Sequence, residues 1–366
     1  MKELIGPDLI TMLGARISAV APAFPIERFC ADLHPILPPL ALKQRVAAVA
    51  HALRQTLPAD YPTALAIIVA ALGPVPAEGP GMFDDGWYAW PLATFVEQYG
   101  LAHPHESLAA LHAITQRNTA EFAIRPFLAH HTELTLHTLH TWVRDPSFHV
   151  RRLVSEGTRP RLPWATQLPP FIADPTPVLA LLESLRDDPS AYVRRSVANN
   201  LNDIAKDHPT QVLTIAQRWL HAAPPERERL VRHALRTLIK QGHPAALGLL
   251  GADPRAAVVL EQLDAAPTNL PIGATCELRA TLRSTAATTQ RLVIDYAVQF
   301  ASAHGTLRRK VFKLRTSELA PGAALAITWN HSFRQLSTRR HYPGAHVIEL
   351  QVNGIIVGQV NITLSE

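Results

Sequence analysis

An eight-residue run is written twice in this chain of 366 residues. Asp145-Pro-Ser-Phe-His-Val-Arg-Arg returns 43 positions later as Asp188-Pro-Ser-Ala-Tyr-Val-Arg-Arg. A looser copy, Leu230-Val-Arg-His-Ala-Leu-Arg, follows 38 residues further on. Up to about residue 250 the apolar residues recur at helical spacing, punctuated by Pro, Asp-Pro and Gly. Paired helices repeating every forty or so residues cannot each bury an apolar face alone and must stack, which predicts a HEAT-like solenoid. Each copy opens with Asp, expected to cap its helix through the carboxylate, and with Pro in the donor-free first turn.

Within the second copy, Val193, Val197, Leu201 and Ile204 form the stripe expected in the core. Arg195, Asn199 and Asp203 follow one another at i, i+4 and i+8 on a different face, and Arg152 and Glu156 hold the places of Arg195 and Asn199 one repeat earlier. Stacked repeats bring such positions into one row, and solenoids bind through surfaces of this kind.

The period changes to two after roughly residue 265. Alternating runs appear at Cys276–Leu282, Arg291–Phe300, Arg309–Arg315, Ala324–Thr328 and His346–Val352, the last joined to Ile355–Leu364 through Asn353-Gly354, a strong hairpin signal. About six strands with no helix between them predict a small immunoglobulin-like β-sandwich, with Pro267 and Pro271 marking a linker. The expected class is therefore multidomain α + β: an all-α solenoid over 1–255 followed by a sandwich over 265–366.

Charge is unevenly placed. The net charge is +5, and from Arg255 onward there are 12 basic residues against 7 acidic, so the earlier part is balanced. The surplus gathers at Arg308, Arg309, Lys310, Lys313, Arg315, Arg334, Arg339 and Arg340, where it either solvates a sheet face or attracts a polyanion such as nucleic acid. With 47% hydrophobic residues a large core is available. Two distant cysteines, Cys30 and Cys276, exclude a disulfide framework and a cysteine-rich zinc site. The longest apolar stretch, Ala64 to Leu72, is too short to span a bilayer, and Glu3 and Asp8 interrupt any signal-like core. A cytoplasmic protein is expected.

The segment Val150-Arg-Arg-Leu-Val-Ser-Glu-Gly-Thr-Arg-Pro-Arg-Leu-Pro-Trp164 is the most unusual stretch. A helix ending at Gly157 would lead into a rigid basic loop carrying Arg159, Arg161 and Trp164. Trp164 either offers its ring to a cationic or planar ligand or packs beneath its own loop. Glu156 is a candidate site acid or an i, i+4 partner of Arg152. Glu121 is a candidate acid or closes a capping box with Asn118. Asp203 is a candidate acid or a solvated surface carboxylate.

The runs S-E-G-T-R-P-R-L-P-W and Y-V-R-R-S-V-A-N-N-L-N-D-I-A-K-D-H-P resemble the AlkC branch of bacterial alkylated-base DNA glycosylases. Ile17-Ser-Ala-Val-Ala-Pro-Ala-Phe and Phe29 fit the same pattern more loosely. The resemblance implies a HEAT-like-repeat fold with a C-terminal immunoglobulin-like domain. It implies hydrolytic release of cationic methylated bases, 3-methyladenine and 3-methylcytosine, from double-stranded DNA by a monomer without base flipping. The family's acids and tryptophan map onto Glu121, Glu156, Trp164 and Asp203, with Arg152 and Arg159 as supports or phosphate contacts. Arg161, Arg195, Arg308, Arg309, Lys310, Arg339 and Arg340 complete the basic residues expected to meet DNA. No cofactor or metal is implied, and location at the nucleoid follows.

Methylation at adenine N3 makes the base a cationic leaving group, so no acid has to protonate it. Carboxylates fixed beside the positive charge that develops on the sugar would then stabilise the transition state, and one of them can hold the attacking water. Two rival readings stand beside this one. A HEAT scaffold with an accessory immunoglobulin-like module would bind proteins instead. A metal enzyme would use some of the eight histidines between His103 and His149, although only His105-Glu106 forms a His-Glu pair and His137 and His140 share a helix face.

Overall fold

The computed structural model describes residues 2–76, 86–302, 306–336 and 339–366. After a short 3-10 turn the helices run α1 Pro7–Val20, α2 Ile26–Leu33, α3 Leu42–Thr56, α4 Tyr61–Ala70, α5 Ala89–Tyr99, α6 Pro104–Thr115, α7 Arg125–His130 and α8 Thr132–Trp142. They continue as α9 Phe148–Gly157, α10 Pro169–Ala173, α11 Thr176–Leu185, α12 Ala191–Ile204, α13 Pro209–Leu220, α14 Pro225–Ala234, α15 Arg236–Lys240 and α16 Pro244–Leu249. The repeated runs open α9 and α12, and α9, α12 and α14 pack side by side. The expected stripe is the core: Val193, Val197, Leu201 and Ile204 are all buried.

The repeated Asp-Pro-Ser works differently from the expectation. Ser147 and Ser190 occupy the N-cap positions, and neither aspartate caps a helix. Asp145 and Asp188 instead each accept the backbone N–H of the serine two residues on, at 2.8 Å in both copies, closing an Asx-turn. Arg151 then donates to the carbonyls of Asp145 and Pro146, as Arg194 does to those of Asp188 and Pro189. Arg151 also reaches forward to the next repeat, donating both Nε and Nη2 to Asp188 at 2.6 and 3.0 Å. The copies thus conserve a turn and its arginine brace, and Asp is needed two residues before the cap, where its carboxylate meets that N–H.

Eight strands follow among the described residues: β1 Val258–Ala266, β2 Asn269–Pro271, β3 Thr275–Ser284, β4 Gln290–Ala301, β5 Leu307–Leu319, β6 Ala324–Ser332, β7 Gly344–Val352 and β8 Ile355–Ser365. They form a three-stranded sheet, β1-β3-β6, and a five-stranded sheet, β2-β8-β7-β4-β5. Between them lie Leu278, Leu282, Ile294, Tyr296, Val298, Trp329, Phe333, Ile348, Leu350 and Ile362. The β7–β8 hairpin turns at Asn353-Gly354, both with positive φ (46° and 80°), as a two-residue turn of this type demands.

The strands begin earlier than expected. The first strand begins at Val258 and pairs antiparallel with β3, so Pro267 and Pro271 lie inside the sandwich and mark no linker. Packing divides the chain into Met1–Asp207 with Pro224–Ala234, and His208–Ala223 with Leu235–Glu366. In this grouping α13, α15 and α16 fall with the strands. No helix among the described residues is long and apolar enough to cross a membrane.

Candidate active site

Three carboxylates converge from three places in the first unit. Glu121 comes from the turn between α6 and α7, Glu156 from the last turn of α9, and Asp203 from the last turn of α12. Helix α9 can lie this close to the Glu121 turn because residue 157 is glycine: a Cβ at that position would sit 2.6 Å from Ile124 Cγ2. The absent side chain lets the turn that carries Glu121 lie directly against the helix that carries Glu156.

Two arginines link the acids into one array. Arg152 Nη1 donates to Glu121 Oε2 at 2.8 Å, its Nη2 lies 3.7 Å from Glu156 Oε1, and its guanidinium stands 4.7 Å over the Tyr192 ring. Arg159 Nη1 donates to Glu156 Oε1 at 2.6 Å and its Nε to Asp203 Oδ2 at 2.8 Å. Ser196 Oγ donates to Glu156 Oε2 at 2.5 Å, and Lys206 Nζ to Asp203 Oδ1 at 2.9 Å. Burial raises the cost of charging Glu156, but Arg152, Arg159 and Ser196 outweigh it and hold the carboxyl below its ordinary value. Burial likewise opposes charge on Arg152 and Arg159, and the carboxylates reverse that effect too. Three acids therefore meet three cations, Arg152, Arg159 and Lys206, and closely matched charge holds the array in place.

Exposure distinguishes the acids. The side chain of Glu121 is 13% exposed, against 6% for Glu156 and 3% for Asp203. Glu121 lines a cleft of about 350 Å³ walled by Leu42, Trp87, Trp90, Phe122 and Trp164. Trp164 is 69% exposed, so the reading in which it packs beneath its loop is overturned. It sits at φ +67°, a region that bulky residues rarely adopt, and its carbonyl accepts a hydrogen bond from Lys43. Lys43 also stands 4.7 Å over the Phe122 ring.

Behind the loop lies Arg125, buried, which donates to the carbonyls of Gly157, Arg159 and Thr166 at 2.6 to 2.9 Å. Burial, with the neighbouring Arg159, brings its pKa down to about 10. One guanidinium therefore ties the end of α9 to both ends of the loop that carries Trp164. Sequence reasoning missed Arg125, whose partners are main-chain oxygens that leave no mark in the sequence. Ser196 was also missed, although it had a signal: it stands where the preceding repeat has Leu153, a polar residue at a core position.

The other expected residues are dispersed. Arg152, half-buried, and Arg159, buried, stand between carboxylates in the position of supports. Arg161 is engaged by both oxygens of Asp207, at 2.9 and 2.8 Å. Glu121 bonds Thr119 and Arg152, so the capping-box alternative falls, and Asp203 is buried, so the solvated-carboxylate alternative falls as well. In the second unit, Arg308, Arg309 and Lys310 are exposed on β5, the edge strand, with Arg309 paired to Glu349. Arg339 covers the Phe300 ring at 4.6 Å and Arg340 faces Tyr342 at 5.5 Å. Among the described residues no group of three His, Cys, Asp or Glu side chains is placed to hold a metal ion.

An array of ion-paired acids beside an exposed tryptophan, on stacked helices that precede a β-sandwich, is matched by known proteins. Residues 115–238, which contain Glu121, Glu156, Trp164 and Asp203, match the model of the DNA alkylation repair enzyme family. Residues 259–366 match the C-terminal Ig-like domain of the uncharacterised protein YhaZ. The chain belongs to the DNA alkylation repair enzyme family, in the branch that carries this Ig-like domain. It is 38% identical over 355 residues to the uncharacterized protein YhaZ of Bacillus subtilis (strain 168), covering 97% of this chain and 96% of that one. It is similar too, with a TM-score of 0.93 and 39% identity over 100% of this chain and 99% of the other, to the Pseudomonas fluorescens alkylpurine DNA glycosylase AlkC, solved bound to DNA containing an abasic site analog.

Proposed function

We propose that this protein is a monomeric DNA glycosylase that hydrolyses the N-glycosidic bond of cationic alkylated bases, 3-methyladenine and 3-methylcytosine, in double-stranded DNA. The observation that carries the reading is the convergence of the carboxylates of Glu121, Glu156 and Asp203, open to an aromatic cleft at Glu121 and bordered by the exposed ring of Trp164.

The chemistry follows from the charge. An N3-alkylated base leaves as a neutral molecule once the C1′–N bond stretches, so the enzyme has to stabilise the cation left on the sugar. A fixed carboxylate array costs no reorganisation when that charge develops, and it acts from surroundings that screen it poorly. Glu121, at the cleft, faces the sugar and the attacking water, which it holds and deprotonates. Asp203 contributes its field from one shell further in, and Glu156 fixes both arginines and with them the spacing of the other two acids. Trp164 packs against the sugar or base edge from outside. A cleft that opens beside the exposed Trp164 is in keeping with approach along a groove, without a flipped base. Cytoplasmic residence at the nucleoid accompanies this function.

The test is release of 3-methyladenine from alkylated duplex under single-turnover conditions. Wild-type protein releases the base, and Glu121→Gln lowers the rate by about 10²–10³. Wild-type protein that leaves methylated duplex intact overturns the reading. A Glu121→Gln variant with the wild-type rate removes Glu121 from the chemistry.

A further inference from the structure

The two repeated runs place an arginine at equivalent positions, Arg152 in α9 and Arg195 in α12, and the structure treats them in opposite ways. Arg152 is enclosed by Glu121 and by Glu156, its i+4 neighbour. Arg195 has Asn199 at i+4 in place of the acid, and the Asn199 amide oxygen faces His233 at 3.0 Å. Arg195 is exposed, and among the described residues it makes no hydrogen bond or ion pair. It borders a recess of about 160 Å³ between α12 and α14, floored by Ala191, Ala198 and Leu230. The alanines leave room where longer side chains would fill the space. Around the rim stand Arg194, Arg195, Arg229 and His233, with Glu226 the one carboxylate. Arg194 is held by the Asp188 and Pro189 carbonyls, which take none of its charge, and Glu226 bonds Arg229. Three guanidiniums against one carboxylate leave the recess positive.

We propose that this recess binds a backbone phosphodiester of the DNA substrate, with Arg195 as the principal contact and Arg194 and Arg229 completing the field. The inference rests on the glycosylase reading and deepens it. Arg195 lies eight residues before Asp203 on one helix, roughly 12 Å along the axis. Phosphates on one strand of B-DNA advance about 3.4 Å per nucleotide along the duplex axis. The recess therefore takes a phosphate a few nucleotides from the sugar undergoing hydrolysis and sets the register of the strand against the acids. Arg195 is a positioning residue that acts through the substrate backbone.

The experiment uses the full chain and a duplex with an uncleavable abasic-site analogue, carrying a single neutral methylphosphonate moved one position at a time. For wild-type protein, one position a few nucleotides from the analogue weakens binding about tenfold. For Arg195→Gln, binding to the unmodified duplex is weaker by the same factor, the log–log salt slope shrinks by about one, and that methylphosphonate has no further effect. Arg195→Lys recovers part of the affinity. An identical interference pattern and salt slope in wild type and Arg195→Gln overturn the phosphate site while leaving the glycosylase reading intact. Failure of the wild-type protein to release the base would instead strike at the reading beneath it.

Discussion

Glu156 shows how one side chain can serve both stability and catalysis. It is buried, accepts from Arg159 and Ser196, and lies 3.7 Å from Arg152, so the charges of both arginines depend on it. Removing one partner of a buried ion network leaves the others charged and uncompensated, at about 3–5 kcal/mol. Glu156→Gln should therefore lower the urea midpoint and the rate of base release together. Glu121, more exposed and at the cleft, should lose rate with far less loss of stability, and the two unfolding curves measured side by side check the contrast. Glu156 was legible in the segment leading to Trp164 and Asp203 in the polar row of the second copy, whereas Glu121 came from the family resemblance alone. Their pairing was not legible, since the distance from Arg159 to Asp203 spans 44 positions and is fixed only by how α9 and α12 stack.

The elements were legible where chemistry repeats. Two copies of Asp-Pro-Ser with Val-Arg-Arg announced α9 and α12 because each copy rebuilds the same turn and brace. The strand β1 escaped notice because Val258–Ala266 keeps no clean alternation: its register slips between Leu260 and Gln262, which moves successive side chains off a simple two-residue rhythm. At the end of α9 the fold leaves no slack. Gly157→Ala places a methyl group 2.6 Å from Ile124 Cγ2, and the turn bearing Glu121 must move to admit it. An overpacking cost of about 1–3 kcal/mol is expected. The same change should slow single-turnover release, because Glu121 and Glu156 part. Thermal unfolding alongside the excision assay measures both.

At the scale of the whole molecule, the second unit sets the response to acid. His331, His341 and His346 are buried around Phe300 and Phe333. Burial, with Arg339 and the neighbouring histidines, pushes His331 down to about 4. A histidine whose folded pKa is depressed binds fewer protons folded than unfolded. Its contribution is complete above about 6.5 and is lost as the pH falls towards 4, on the order of 3 kcal/mol for His331 alone. Asp295 opposes this: burial raises its pKa to about 6, so it disfavours the folded state as the pH rises from about 4 through 6. With His341 and His346 also depressed, the histidines outweigh it. Chemical unfolding followed from pH 7 to 4 should show stability falling. Asp295→Asn should raise stability at pH 7 and steepen that fall. A flat profile would show that the histidine cluster does not govern it.

The path of the chain between its units has a further bearing on how the molecule is made. The polypeptide leaves the first unit after Asp207, lays down α13 in the second, returns for Pro224–Ala234 and departs again. On the ribosome, the part holding the acid array therefore stays incomplete until a segment of its neighbour has already emerged. No single cut, by protease or by stop codon, yields either portion with all its own residues, and attempts to express the helical portion alone should begin from a fused or permuted gene.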